Sequence, residues 1–429
     1  MRYLSAFSAL LALSSTAGAA VSRSEGRPQT KSYDGYKVFR VEVGTDASKV
    51  SGIVEKLGLS TWKGAPRAGT FSDIVVPPQS LAAFTKATVG MNSAVMHDDL
   101  GASIAEESAF QTYEVGAAAV NATWFNSYHS YADHLQFLND LVAAYPTQAR
   151  IVTAGNSLNG RAITGIQFWG SSGRGVKPAV VFHGTVHARE WVGTMTTEYM
   201  AYNLLTNYAS NAEIKGFVDK YDFYIFPVVN PDGFVYTQTN DRLWRKNRQS
   251  TSGSTCIGHD INRNWPYMWS VSGGASTNPC AEDFKGPSQS SAPETTALAA
   301  QLRSVKASQG LKLFIDYHSY SQLFMTPYGY SCSATAPKNT ELQSLARGAV
   351  AAIRAVHGTS FRYGPICSTI YQATGSSVDY TNDVVGADYV FTSELRDTGN
   401  YGFVLPANQI LPTADEAYAG VRYLLLNMK

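Results

Sequence analysis

Three segments far apart in the chain carry side chains of the kinds that ligate a cation and move protons. They are His187-Ala-Arg-Glu190, Ile315-Asp-Tyr-His318-Ser-Tyr320 and Thr392-Ser-Glu394-Leu-Arg-Asp397. The first two offer two imidazoles and a carboxylate. That is the donor count of a catalytic zinc site, which uses three protein ligands and leaves a fourth position for water. Glu394 has no place in this set and is free to act as a base, a salt bridge to Arg396 being the plain alternative. Taken alone, a His-x-x-Glu pair is a common accident of a helix surface. Here it directly follows a hydrophobic run and stands beside Arg189 and Trp191. His97, His129, His134, His183, His259 and His357 are read as ordinary packed or surface histidines.

The elements that must position these groups follow from periodicity. Apolar runs at 151–152, 162–169, 178–183, 221–229, 311–318 and 389–394 read as strands. Helical spacing covers 131–144, 191–205, 294–305, 340–356 and 412–427, with Leu135, Leu138, Leu141 and Val142 marking the first of these faces. Alternating strands and helices argue for an α/β sheet covered on both faces. Such sheets bind ligands at the carboxyl ends of their strands, where His187, His318 and Glu394 all fall. Upstream, strands at 36–43, 70–76 and 94–97 alternate with helices at 47–57 and 78–86. That order predicts a small α+β open sandwich without a catalytic cluster of its own. Residues 100–121, rich in Ala, Gly, Ser and Glu, read as a linker that a protease can cut.

Bulk properties set the frame. A chain of 429 residues exceeds what one core usually fills, so two domains are expected. A net charge of +1 supplies no field for nucleic acid or anionic lipid. Arg2, the apolar run 4–13 and Thr16-Ala-Gly-Ala-Ala20 form a signal peptide at 1–20, too short to span a bilayer. Secretion is the expected consequence. Cys256, Cys280, Cys332 and Cys367 suit an oxidising compartment, and none sits in a CxxC unit. Four cysteines allow three pairings. Asn121-Ala-Thr123 is the one N-x-S/T sequon, hence a candidate glycosylation site.

A family resemblance runs through the same residues. Gly184-Thr-Val-His-Ala-Arg-Glu-Trp-Val192, Asn230-Pro-Asp-Gly233, Leu243-Trp-Arg-Lys-Asn-Arg248 and Asp260-Ile-Asn-Arg-Asn-Trp265 resemble motifs of the secreted zinc metallocarboxypeptidases, the carboxypeptidase A/B group. So do His318-Ser-Tyr-Ser-Gln322, Pro327-Tyr-Gly-Tyr330, Thr369-Ile-Tyr-Gln-Ala373 and Glu394-Leu-Arg-Asp-Thr-Gly399, in order from about 122 to 429. Carboxypeptidase A is itself the standard example of a His, His, Glu zinc set. The resemblance implies a mixed twisted sheet with helices on both faces, preceded by an open-sandwich prodomain. The expected divisions are 1–20 signal peptide, 21–102 prodomain, 103–121 linker with the activating cut, and 122–429 catalytic domain.

The resemblance also implies roles. His187, Glu190 and His318 hold one zinc ion per chain, and Asp260 orients His187. Glu394 is the general base and Arg245 the cation beside the developing oxyanion. Asn262, Arg263 and Tyr371 receive the substrate's terminal carboxylate, for which a guanidinium fork is suited. Tyr371 borders the Gly/Ser-rich stretch 373–377, expected to act as a closing lid. Arg189, Tyr320 and Phe403 complete the substrate-binding set. Val378 stands where B-type relatives carry an acid, so an A-type preference for aromatic or large aliphatic C-terminal residues is expected. Ser376 replaces a customary small Gly, and Asp379 is read as structural. Disulfides Cys256–Cys280 and Cys332–Cys367 are implied, as are cis bonds at Ser319-Tyr320, Pro327-Tyr328 and Arg396-Asp397. The expected partners are peptide and protein C-termini, an activating endopeptidase and the chain's own prodomain as inhibitor, with the protein a secreted monomer. The competing readings are a catalytically inactive relative that binds peptide ends and a zinc endopeptidase.

Overall fold

The computed structural model describes residues 30–116 and 120–429. The signal peptide expected at 1–20 lies outside the described residues. The upstream unit is a four-stranded antiparallel sheet in the order β2-β3-β1-β4, built from β1 (Lys37–Glu42), β2 (Ser60–Thr61), β3 (Phe71–Val76) and β4 (Ser93–His97). Strand alternation gives this sheet two different apolar faces. Val41, Ile74 and Val76 turn toward α1 (Ser48–Lys56) and α2 (Leu81–Ala87), packing with Val50 and Phe84. Val38 and Val75 turn the other way and pack with Trp62 against Leu243, Tyr320, Phe403 and Val404 of the large domain. One strand thus serves two cores.

Residues read as the start of the linker are instead helical. α3 (Leu100–Glu107) is capped by the Asp99 side chain, which accepts from the Ala102 N–H, and Leu100 is fully buried. A composition rich in Ala and Glu favours helix as readily as loose chain, and the Asp cap decides between them.

The large domain holds an eight-stranded sheet in the order β11-β10-β12-β9-β7-β8-β6-β5. Its strands are β5 (Ala149–Asn156), β6 (Ala162–Phe168), β7 (Ala179–Gly184), β8 (Asp222–Phe226), β9 (Leu311–His318), β10 (Leu323–Thr326), β11 (Arg362–Pro365) and β12 (Tyr389–Glu394). The central β12, β9, β7 and β8 are mutually parallel, and antiparallel pairing joins them to β6 on one side and β10 on the other. On one face α4 (Tyr131–Ala144), α5 (Trp191–Thr206), α6 (Ala212–Lys220), α9 (Asn339–His357) and α12 (Ile410–Asn427) pack on Val180, Phe182, Ile315, Tyr317 and Phe391. On the other, α8 (Pro293–Gln309) packs on Val181, Phe314 and Val390. Burial on both faces explains the unbroken apolar runs.

α7 (Pro231–Thr239), α10 (Ile366–Thr369) and α11 (Ser377–Tyr380) complete the helices. Sequence periodicity missed α6, α7, β10 and β11. α7 was hidden because Asn230-Pro-Asp-Gly reads as a turn. Instead Asn230 caps the helix by accepting from the Gly233 N–H, and Pro231 fills the first turn where no N–H is needed. The implied disulfides Cys256–Cys280 and Cys332–Cys367 are both formed, and the three implied peptide bonds are cis.

Candidate active site

Backbone register brings the chemistry together. His318 and Glu394 are the last residues of the parallel neighbours β9 and β12 and lie directly opposite each other. Gly184 closes β7, opposite Tyr317. Thr185 then takes a left-handed conformation at φ 56°, turning the chain into the loop that carries His187 and Glu190 up to α5. The three sites therefore meet at one end of one sheet, as the strand-end rule requires.

The donor atoms converge. His187 Nδ1 lies 2.9 Å from Glu190 Oε1 and 3.1 Å from His318 Nδ1, and His318 Nδ1 lies 3.1 Å from Glu190 Oε2. A tetrahedral zinc with bonds of about 2.0–2.1 Å sets its ligand atoms roughly 3.3 Å apart, so this spacing fits the ion. Among the described residues this is the one such cluster, and all three members are buried. Burial pushes the Glu190 carboxyl up, but the two imidazoles outweigh it and hold it well below the usual carboxylate range.

A second layer holds the first. Asp260 Oδ1 lies 3.2 Å from His187 Nε2, while Oδ2 accepts from Arg245 at 2.8 Å. Arg245 also approaches Glu190 at 3.9 Å. Burial raises the Asp260 carboxyl, yet Arg245, His187 and Arg263 together keep it far below its ordinary value. Glu394 is lifted to about 7, chiefly by burial, with His318 opposing the rise and Glu190 adding to it. Arg396 is engaged elsewhere: it donates to Glu416 at 2.8 Å and to Gln409 at 2.7 Å, so Glu394 is not tied up as its salt-bridge partner.

A pocket opens beside these groups. Met325, Ile366, Ile370, Ala373, Ser376, Val378 and Thr392 line its walls, and His187, His318, Asn262, Arg263, Tyr371 and Glu394 form the rest of its lining. Glu394 is the one acid in that lining. Asp379, next to Val378, is spent on the backbone: its carboxylate accepts from the Gly329 and Tyr330 N–H groups at 3.0 Å, and burial lifts it to about 7. Asn262 accepts from the Ser377 N–H at 2.8 Å through Oδ1. The Arg263 Nε is buried without a hydrogen-bond partner, which leaves it available for an anion.

Arg189, Tyr320 and Phe403 stand apart from the pocket lining and meet the upstream unit instead. The Arg189 guanidinium lies 4.2 Å above the Phe403 ring and donates to the Trp62 carbonyl at 2.9 Å. Trp62 packs on both Tyr320 and Phe403. The Tyr320 hydroxyl donates to Asp73, which is also gripped by Arg40 through two 2.7 Å bonds. Lys63 sits 4.3 Å over the Tyr320 ring, and Arg67 lies 4.1 Å from the Tyr371 ring. Arg40 donates to the Thr398 carbonyl, and His97 bonds the Tyr401 carbonyl at 2.8 Å. Farther out, Glu107 and Arg242 form a buried bidentate pair at 2.6 and 2.7 Å. None of these upstream contacts was legible as a motif, because each is a single side chain on a strand, a loop or a helix end of the small domain. Asp316 was also missed, although period-two alternation puts it on the same face of β9 as His318.

These features have a counterpart among known proteins. A model of the zinc carboxypeptidase family matches residues 134–420. This chain belongs to that family. A second model, the carboxypeptidase activation peptide, matches residues 41–107, which makes the upstream unit an activation domain. The chain is similar to a metallocarboxypeptidase A-like protein of Trichophyton verrucosum, at 51% identity over 94% of this chain and 95% of the relative. It is similar to carboxypeptidase A1 of Rattus norvegicus at 38% identity over 90% of this chain and 92% of that one. Among solved structures it is similar to thrombin activatable fibrinolysis inhibitor, with a TM-score of 0.85 and 27% identity across 91% of this chain and 98% of that chain. The zinc carboxypeptidase is thus an A-type metallocarboxypeptidase with an inhibitory activation domain, and its mixed sheet with flanking helices is the family fold.

Proposed function

We propose that this carboxypeptidase is secreted as a zymogen and, once cut within 103–121, removes C-terminal residues with aromatic or large aliphatic side chains. The observation that carries the reading is the pocket. It joins His187 and His318 of the metal-binding cluster to apolar and hydroxyl walls without a carboxylate, and Arg263 belongs to its lining. In this reading 1–20 is a signal peptide, 21–102 the prodomain, and 122–429 the catalytic domain, and Asn121 takes a glycan. Asn121 is exposed and caps the 3-10 turn Ala122–Asn126 by accepting from the Thr123 N–H at 2.8 Å. Among the described residues no helix is long and apolar enough to cross a membrane.

His187, Glu190 and His318 hold zinc. When bound, zinc supplies Lewis acidity that polarises the scissile carbonyl and lowers the pKa of water. The substrate's free carboxylate pairs with Arg263, with Asn262 and the Tyr371 hydroxyl as neutral donors. This clamp places the last side chain against Val378, Met325 and Ile366. A carboxylate near neutrality, as burial makes Glu394, is matched to removing a proton from the attacking water and returning it to the leaving amine. Arg245, fixed by Asp260, faces the oxygen on which charge develops. Asp260 keeps His187 in the tautomer whose Nδ1 lone pair faces the ion.

The activation domain covers this site from beside the pocket and touches its lining at Tyr371. Trp62 and Asp73 hold Arg189, Phe403 and Tyr320, and Arg67 lies against Tyr371. The test is a set of N-blocked dipeptides differing only in the last residue, assayed before and after limited proteolysis. Phe- and Leu-terminated members are expected to be cleaved after proteolysis, and the amidated counterpart to resist. Faster cleavage of Lys- or Arg-terminated members, or equal cleavage of the amide, overturns the reading.

A further inference from the structure

We propose that Asp316 is the positioning residue of the metal ligand His318, and that through Ser377 it ties this ligand to the side-chain pocket. The inference rests on the zinc reading above and adds to it a residue that the reading did not need. With His318 Nδ1 given to the metal, its ring proton must sit on Nε2, and that N–H needs an acceptor. Two groups lie within reach of Nε2. Asn262 Nδ2 is at 3.2 Å, but Asn262 Oδ1 accepts from the Ser377 N–H at 2.8 Å, which turns the amide so that its NH2 faces the ring. An NH2 group is a donor only and cannot accept. Asp316 Oδ2, also at 3.2 Å, is the remaining acceptor.

Asp316 is built in for this. It is 1% exposed, and as a β9 residue two before His318 it shares that residue's face. Its Oδ2 also accepts from the Ser377 hydroxyl at 2.5 Å, and its backbone carbonyl accepts from Thr392 Oγ1 at 2.9 Å. Ser377 precedes the pocket residue Val378, and Thr392 lines the pocket itself. Oδ1 is buried without a partner. Directly opposite on β7 stands His183, whose Nε2 is likewise buried and unpartnered. A buried carboxylate with a spare oxygen is costly as a purely structural group, since apolar packing would serve the core better. As the partner of a ligand imidazole it has a reason to be there. Each ligand histidine then has its own carboxylate, Asp260 for His187 and Asp316 for His318.

The test measures metal binding by the activated enzyme rather than its turnover. Asp316→Asn keeps the shape and removes the charge. Zinc affinity, read by competition with a chromogenic chelator, is expected to fall about 10- to 100-fold. The visible absorption of the Co2+-loaded variant should shift as the ligand ring turns. Ser377→Ala leaves the carboxylate in place, so it should keep zinc affinity within about threefold while raising KM for Phe-terminated substrate. Should the asparagine variant fail to fold by circular dichroism, the wild type decides. Its zinc form should show a downfield, slowly exchanging imidazole N–H resonance assigned to each ligand histidine, beside that of His134 against Glu198, and the absence of one from His318 overturns the proposal. An Asp316→Asn protein with zinc affinity within twofold of wild type and an unchanged Co2+ spectrum also overturns it. If the wild type itself takes up no zinc, the metal reading fails first, and the two failures are told apart.

Discussion

The catalytic domain and the activation domain meet at one surface, but they are held in different ways. The catalytic floor is set by backbone ladders: β7, β9 and β12 are parallel neighbours whose carboxyl ends fall within one residue of register, and both faces of the sheet are core. Its chemistry sits on strand ends that no side-chain change easily moves. The activation domain lies on this floor mainly through side-chain contacts, with Trp62, Asp73, Lys63 and Arg67 reaching across, Arg40 and His97 pinning the loop around Thr398 and Tyr401, and a backbone bond from the Lys31 N–H to the Asn240 carbonyl beside them. Ladder contacts are shared among many residues, whereas a handful of side-chain contacts is released by one cut or one substitution. A zymogen needs that asymmetry, with a site already assembled and a cover that comes away whole.

The comparison predicts where substitutions hurt most. Glu394→Gln in the cut enzyme should lower kcat by about 10²–10⁴ with zinc content unchanged, since the floor stays folded and only proton transfer is lost. Metal analysis beside steady-state kinetics checks this. Loss of zinc along with activity would show instead that Glu394 belongs to the ligand set. On the cover, Asp73→Ala in the uncut chain removes the shared partner of Arg40, Tyr320 and Lys63. Of the three only Tyr320 lies across the junction; losing a hydrogen bond to a charged group costs about 1.5–3 kcal/mol, so the open population should rise roughly 10- to 100-fold, visible as basal activity before proteolysis. An uncut variant as silent as wild type would mean that the cover is held by its apolar face rather than by this pair.

The same difference explains what was legible in the sequence. The floor could be read because its strands are long apolar runs ending in chemically unusual residues, and because His187, Glu190, His318 and Glu394 lie in motifs with fixed spacing. The cover could be read only as a layout. Ile74, Val75 and Val76 look alike in sequence, and nothing in them says that Val75 serves a different core from its neighbours. Asp73 carries no motif: Arg40 faces it across the β1–β3 ladder, while its partner on the catalytic domain, Tyr320, is distant in the chain and meets it only by docking. Composition reads α3 as the start of a linker, and a single capping residue, Asp99, is too weak a signal to say otherwise. On the floor, Asp316 was overlooked beside a more conspicuous histidine.

A smaller effect separates the pocket from both regions. Val378→Asp places a carboxylate in a wall that has none, so Lys- and Arg-terminated peptides should gain over Phe-terminated ones by roughly 10- to 100-fold in the ratio of kcat/KM. The cover should be indifferent, because Val378 packs with Met325, Ile366 and Tyr380 in the catalytic core and not in the apolar cluster shared with the activation domain. If the ratio does not move, the terminal side chain is received elsewhere.

The smallest effect concerns pH and the cover alone. His97 is buried at the domain junction between the Ser103 hydroxyl and the Tyr401 carbonyl, with Trp62 beside it. Burial lowers its pKa below the ordinary 6.5, only partly offset by the Tyr401 bond and by Asp397. Docking therefore favours the neutral ring. Its contribution is complete above the undocked value and is lost as pH falls through the depressed docked value. The uncut chain should become leakier between pH 7 and pH 5, by a few fold. Glu394 also titrates in this range, so the useful quantity is the basal activity of wild type divided by that of His97→Gln at each pH, in which the catalytic titration cancels. That ratio should rise on acidification because glutamine takes no proton. A flat ratio would show that the cover does not sense pH through this residue, and would leave the Tyr320 bond to Asp73 and the apolar seam around Trp62 as the elements that decide when the two domains part.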